Sequence, residues 1–353
     1  MTTAPADSLK LNKMSIHDSL FLRAARGHAV ERVPCWLMRQ AGRYDPEYQR
    51  IRRECGLELE DLFRDPALAA QITILPARLG VDALILFQDI LTLLGPMGAP
   101  FIFRPGPQLA HPVSGLKDVE QLRELDSERD LPFVHQSIKN VLTNYPALPL
   151  IGFAGAPWTL AAFLIEGQSP HKEYGKKSLD FAQEQPQAMH QLLGKLTRAT
   201  ISYLQMQIRA GVHAVQLFES AADLLDEQGY ATLALPYQKL IFASLPTAIP
   251  KIIFAKDHQN AVQLAASGAD VLSLSHRINL ADARMQLGPH VVLQGNIDNR
   301  ILHAGSPQQV RQAVAECLHQ GQGGPHILNL GHGILEGTPL ENVQALLDEV
   351  RQA

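Results

Sequence analysis

Apolar residues along the 353-residue chain gather in short continuous runs with little polar alternation. The runs are Val33–Met38, Asp82–Phe87, Leu148–Ala154, Ala214–Phe218, Lys251–Ala255, Asp270–Leu274, Val291–Gln294 and His326–Leu330. Such runs suit parallel strands covered on both faces. The segments between them are long enough for helices, and Pro186–Ala210 repeats Leu, Ile and Met at helical spacing. Ser15–Gly27 reads as a further short helix, with a Ser start and a Gly stop. Eight strands alternating with helices predict an α/β protein, a single (β/α)8 TIM-like barrel rather than a doubly wound sheet. Longer gaps after the first three strands predict insertions there, and Gly98–Pro107 reads as a small hairpin. Residues 1–14 read as a flexible tail and residues 15–353 as one domain, since no linker, repeat or low-complexity tract divides them.

A barrel of this kind carries its chemistry in the loops after the strands. The first run breaks into Met38-Arg39-Gln40-Ala41-Gly42-Arg43, and the second into Gln88-Asp89-Ile90-Leu91. The third leads to Gly155-Ala156-Pro157-Trp158-Thr159, the fourth to Glu219-Ser220, the seventh to Gly295-Asn296-Ile297-Asp298 and the eighth to Gly331-His332-Gly333. Turn chemistry accounts for the glycines. It does not account for two Arg, an Asp, a Ser and a His recurring at one end. Arg39 and Arg43 are four apart, so one helical turn would set both guanidinium groups on one side. Gly42 between them would admit a ligand close to the backbone. Paired forks suit carboxylate or phosphate oxygens. Each residue also has an ordinary reading: the arginines as a solvated turn, Asp89 as a helix N-cap, Ser220 and His332 as caps or solvated side chains.

Composition narrows the picture. Apolar residues at 46% and charged residues at 19% describe a globular protein with ample core. A formal charge of -4 and a pI near 6.4 argue against nucleic acid as a partner, so any anion site must concentrate its positive charge locally. Cys35, Cys55 and Cys317 are too scattered for a disulfide framework or a metal site. Met1–Lys13 lacks the apolar core of a signal peptide, and no apolar run reaches the roughly 18 residues that span a membrane. A cytoplasmic protein without membrane partners is expected.

From about residue 15 to 347 the chain resembles the uroporphyrinogen decarboxylase family. The resemblance rests on Met38–Arg43 with Pro46-Glu47-Tyr48, on Gly152–Leu160 with Glu166-Gly167, and on Asn329-Leu330-Gly331-His332-Gly333. It implies a homodimeric TIM-like barrel that uses no cofactor and no metal. It implies removal of the four acetate carboxyls of uroporphyrinogen III, giving coproporphyrinogen III. Arg39 and Arg43 would bind carboxylates of a substrate that carries eight. Asp89 would accept pyrrole N–H bonds and stabilise the developing cation. Gln40, Ala41, Gly42, Phe163, Ser220 and His332 would complete the substrate site. The proton would come from Arg39 or from a bound water.

The chain departs from the family at four places. Phe163 stands where Tyr is usual, and Gln88 where a small residue precedes the Asp. Ser273-Leu274-Ser275-His276 replaces Gly-x-Asp-Trp, and Ala221-Ala222-Asp223 replaces Trp-Ala-Gly or His-Ala-Gly. These changes keep two other readings open, a non-catalytic tetrapyrrole-binding paralogue and a zinc-dependent corrinoid or thiol methyltransferase. A phosphate loop at Gly321–Gly324 is disfavoured because the glycines precede their strand.

Overall fold

A computed structural model describes residues 15–103, 106–170 and 175–353. The expected tail at residues 1–14 lies outside them. The strands are β1 (Leu84–Ile85), β2 (Phe101–Phe103), β3 (Pro107–Leu109), β4 (Leu150–Gly155), β5 (Ala214–Glu219), β6 (Lys251–Ala255), β7 (Val271–Ser273), β8 (Val292–Gln294) and β9 (His326–Ile327). Seven of them form one parallel sheet in the order β1-β4-β5-β6-β7-β8-β9, with helices between. The order is sequential, so the sheet curls in one direction as a TIM-like barrel does.

The first apolar run closes the ring without becoming a regular strand. Cys35 bridges Leu328 in parallel, Leu328 N–H donates to the Pro34 carbonyl at 2.9 Å, and Asp82 N–H donates to the Cys35 carbonyl at 2.8 Å. Pro34 has no N–H to give, so the ladder stops there. On the other seam, the Asp82 carboxylate accepts from Cys35 N–H at 2.8 Å and is held by Arg32 at 2.8 and 2.6 Å. A side chain thus replaces a missing backbone acceptor. The eighth position is filled by an extended segment.

Ser15–Gly27 folds as a one-turn Ile16–Asp18 helix and a second helix Leu20–Ala25, separated by extended Ser19. The hairpin at Gly98–Pro107 is present as antiparallel β2 and β3, with residues 104 and 105 outside the described part. Inside the barrel lies a buried polar layer. Trp36 Nε1 donates to Gln294 Oε1 at 3.0 Å, and Gln294 Nε2 donates to Gln216 Oε1 and Ser273 Oγ at 3.1 and 2.9 Å. These bonds tie four staves together beneath the mouth. Among the described residues, no helix is long and apolar enough to cross a membrane.

Candidate active site

The arginine motif does not make a helical turn. Arg39 and Arg43 have φ of +63° and +35°, and Gly42 has +101°. Gln40 N–H bonds to the Leu37 carbonyl and Asp45 N–H to that of Gly42, each at 2.9 Å, giving two consecutive turns. Left-handed φ at two arginines costs about 1–3 kcal/mol each, a cost carried by the surrounding bonds. Both arginines nevertheless line the same cavity, as the spacing argument required for another reason. Asp45 then caps the helix Pro46–Cys55 by accepting from Glu47 N–H at 2.9 Å, and that helix brings Arg52 and Arg53 to the cavity.

Gln40 corrects an expectation. Its side chain is fully buried and faces away from the cavity, accepting from Leu37 N–H and donating to the Ala83 carbonyl, both at 2.9 Å. It braces the loop from inside.

Asp89 follows β1 and lines the cavity, half-buried. One carboxylate oxygen accepts from Leu91 N–H at 2.8 Å, but no helix follows: residues 90–98 are turns, so Asp89 caps a turn and not the helix expected. The other oxygen has no hydrogen-bond donor among the described residues. Burial raises the Asp89 pKa, while the Leu91 N–H and the charge of Arg39 oppose the rise. Arg39 is pulled down to about 10, by burial first and then by Arg43, with Asp89 opposing. Its side chain is reached by solvent through the open mouth while protein surrounds it.

Phe163 is 1% exposed and meets the Phe101 ring edge-on at 5.7 Å. The His332 ring stacks on Phe254 at 5.8 Å. Burial, then the charges of Arg39 and Lys256, push its pKa to about 3, so it presents a neutral imidazole. Ser220 lies at the end of β5 and lines the cavity with Ala41 and Gly42.

Beneath Ser220, Glu219 is completely buried. Its carboxylate accepts from Thr159 N–H and Oγ1 at 2.8 and 2.5 Å and from Gln238 Nε2 at 3.1 Å. Ala221 N–H donates to Thr159 Oγ1 at 3.1 Å, which frees the threonine proton for Glu219. Burial nonetheless lifts the Glu219 pKa to about 7. The network locks the start of the helix Pro157–Glu166, which carries Thr159 and Phe163 to the cavity.

The cavity holds about 960 Å³, the upper end of the range for small-molecule sites. Its walls carry Arg39, Arg43, Arg52, Arg53 and Lys256 against Asp89 and Glu336, with Phe87, Phe153, Phe218 and Phe254 between. Arg52 and Arg53 escaped sequence reading because arginines on an amphipathic helix are ordinary. Lys256 directly follows β6, and the rule of strand ends would have found it. Cys35 and Cys317 are buried, and none of the three cysteines lines the cavity. Gly321 and Gly324 pack at the opposite end, where a Cβ would meet the His326 ring at 2.3 Å and the Pro289 carbonyl at 2.5 Å.

An α/β barrel whose upper mouth joins an aromatic wall, five cations and two carboxylates defines a barrel protein suited to a large polyanionic ligand. The family model for uroporphyrinogen decarboxylase matches residues 17–353, and the chain belongs to that family. It is 42% identical to uroporphyrinogen decarboxylase of Trichlorobacter lovleyi over 338 residues, covering 94% of this chain and 98% of that protein. The enzyme of the same name from Carboxydothermus hydrogenoformans is 42% identical over 340 residues, covering 94% and 95%. Among solved structures, a methyltransferase from Methanosarcina mazei superposes with a TM-score of 0.79 at 21% identity, covering 95% of this chain and 98% of that one. At that identity the likeness speaks for the fold alone.

Proposed function

We infer that this protein decarboxylates the four acetate side chains of uroporphyrinogen III to give coproporphyrinogen III, without a cofactor. The observation that carries the reading is Asp89, one of whose oxygens has no hydrogen-bond donor among the described residues, in a cavity that it lines together with four arginines. Protonation of a pyrrole ring carbon turns that ring into an iminium. The bond to the carboxylate then breaks, its electron pair flows into the iminium, and CO₂ leaves. A second proton converts the exocyclic methylene to methyl, and loss of the first proton from the ring carbon restores the pyrrole, so one proton is consumed for each CO₂ released. Asp89 supports the step by fixed negative charge beside the pyrrole nitrogens, a preorganised electrostatic role. Arg39, Arg43, Arg52 and Arg53 match the substrate carboxylates as charge-assisted partners. The proton comes from Arg39, which lines the cavity, or from a bound water. Ala41, Gly42, Phe163, Ser220 and His332 shape the rest of the substrate site, and Phe163 does so with a ring that lacks the usual hydroxyl.

The protein acts in the cytoplasm as a homodimer, a reading supported by the family; sedimentation at twice 38.8 kDa would agree with it. An anaerobic assay with uroporphyrinogen III, following products that carry seven to four carboxylates, tests the activity. Stepwise loss to the four-carboxylate product is expected. Tight binding of the tetrapyrrole with no CO₂ released overturns the reading in favour of a non-catalytic paralogue.

A further inference from the structure

Around the closed ring, β6 stands four places from the Cys35 segment in either direction. Lys256, the residue after β6, therefore lies across the mouth from the loop that carries Arg39 and Arg43. Its Nζ is 3.0 Å from Asp223 Oδ2, and the two side chains are 23% and 11% exposed. Both are partly buried, so the pair is neither a loose surface contact nor a sealed core one. Its backbone is fixed as well, since Lys256 N–H donates to the Glu219 carbonyl at 3.1 Å. Asp257, next along the chain, does not compete. Its φ of +53° turns the carboxylate toward Ser275 Oγ at 3.2 Å and Arg277 Nε at 3.7 Å. Lys256 lines the cavity with Ser220 and His332, and His332 is neutral there.

We propose that Lys256 is a second anchoring pole for substrate carboxylates and that Asp223 is the positioning residue that holds it toward the cavity. The inference rests on the decarboxylase reading for the identity of the ligand. A macrocycle with carboxylates around its whole perimeter needs a cation on both sides of the mouth, and the four arginines come from one side of the ring. An ammonium bonded to one carboxylate keeps two N–H donors for another. The anion beside Lys256 comes from the loop after β5.

The test uses the full chain, with anaerobic steady-state kinetics on uroporphyrinogen and equilibrium binding of oxidised uroporphyrin. Lys256→Met should raise the Michaelis constant and the porphyrin dissociation constant about tenfold, with turnover changed far less, as expected for lost binding shared by ground and transition states. Lys256→Arg should restore most of the affinity. If Lys256→Met does not fold, Lys256→Gln carries the same expectation. Asp223→Leu should raise the Michaelis constant, and Asp223→Asn, which keeps an acceptor for Nζ, should do so less. An unchanged Michaelis constant in both neutral Lys256 variants overturns the anchoring role. A lower one in Asp223→Leu overturns the positioning role, since Asp223 would then only cancel charge. If the wild type releases no CO₂, the decarboxylase reading fails while porphyrin binding by the Lys256 variants still decides this one.

Discussion

The carboxamide of Gln40 donates to the Ala83 carbonyl at 2.9 Å and joins the arginine loop to the chain entering β1. That strand delivers Asp89 to the cavity, so one buried amide sets the cations and the carboxylate in mutual register. Gln40→Leu would leave Leu37 N–H and the Ala83 carbonyl without partners, costing about 1–3 kcal/mol each. Lower melting temperature and lower turnover should appear together. A variant that melts early but turns over normally would reduce Gln40 to a stabilising residue.

Arg39→Ala and Arg43→Ala should each weaken substrate binding by about 3 kcal/mol, because carboxylates brought into the cavity lose a desolvated partner. Initial-rate kinetics measure this, and unchanged parameters in both variants would contradict the anion cavity.

Asp89→Asn separates charge from capping. Asn serves nearly as well as Asp as a cap, so the Leu91 bond and the melting curve should persist. Turnover should fall by about 10²-fold or more, the loss expected on removing one preorganised electrostatic group. Normal turnover in a normally folded variant would end the electrostatic assignment.

Phe163→Tyr adds a hydroxyl to a ring that is 1% exposed and lines the cavity. If that hydroxyl reaches the ligand, activity should hold or rise by about one hydrogen bond, ~1 kcal/mol. A steep loss would mean that the wall around Phe101 and Phe163 has no room for it.

Glu219 predicts a pH dependence of stability. Its folded pKa of about 7 lies above the ordinary value of 4.5, so the folded chain keeps a proton that the unfolded chain releases. That stabilisation is fully present below 4.5 and is lost as pH rises through about 7. The loss is on the order of 3 kcal/mol at about 1.4 kcal/mol per unit. His332 works the other way. With a folded pKa near 3 against 6.5, its contribution is lost as pH falls below 6.5. Urea unfolding of the wild type and Glu219→Gln, compared between pH 4.5 and 8, isolates the first effect. A constant stability difference across that range would refute it.

What the sequence determined by itself was local in origin. Apolar runs and their punctuation marked the strands, and polar residues after those runs marked one end of the barrel. Arg39, Arg43, Asp89, Phe163, Ser220 and His332 all line the cavity. Tertiary structure decided what depends on distant partners. Whether Val33–Met38 becomes a strand is settled by Leu328 on one side and Asp82 on the other, and Pro34 leaves that ladder incomplete. Gln40 turns inward because Ala83, 43 positions away, offers a carbonyl. Lys256 gains its place from Asp223, 33 positions back on a neighbouring loop. The protonation of Arg39, Glu219 and His332 follows from burial and from charges brought together across the barrel. Hydrophobic periodicity is written in neighbouring residues, whereas side-chain direction, desolvation and charge pairing exist only once the ring has closed.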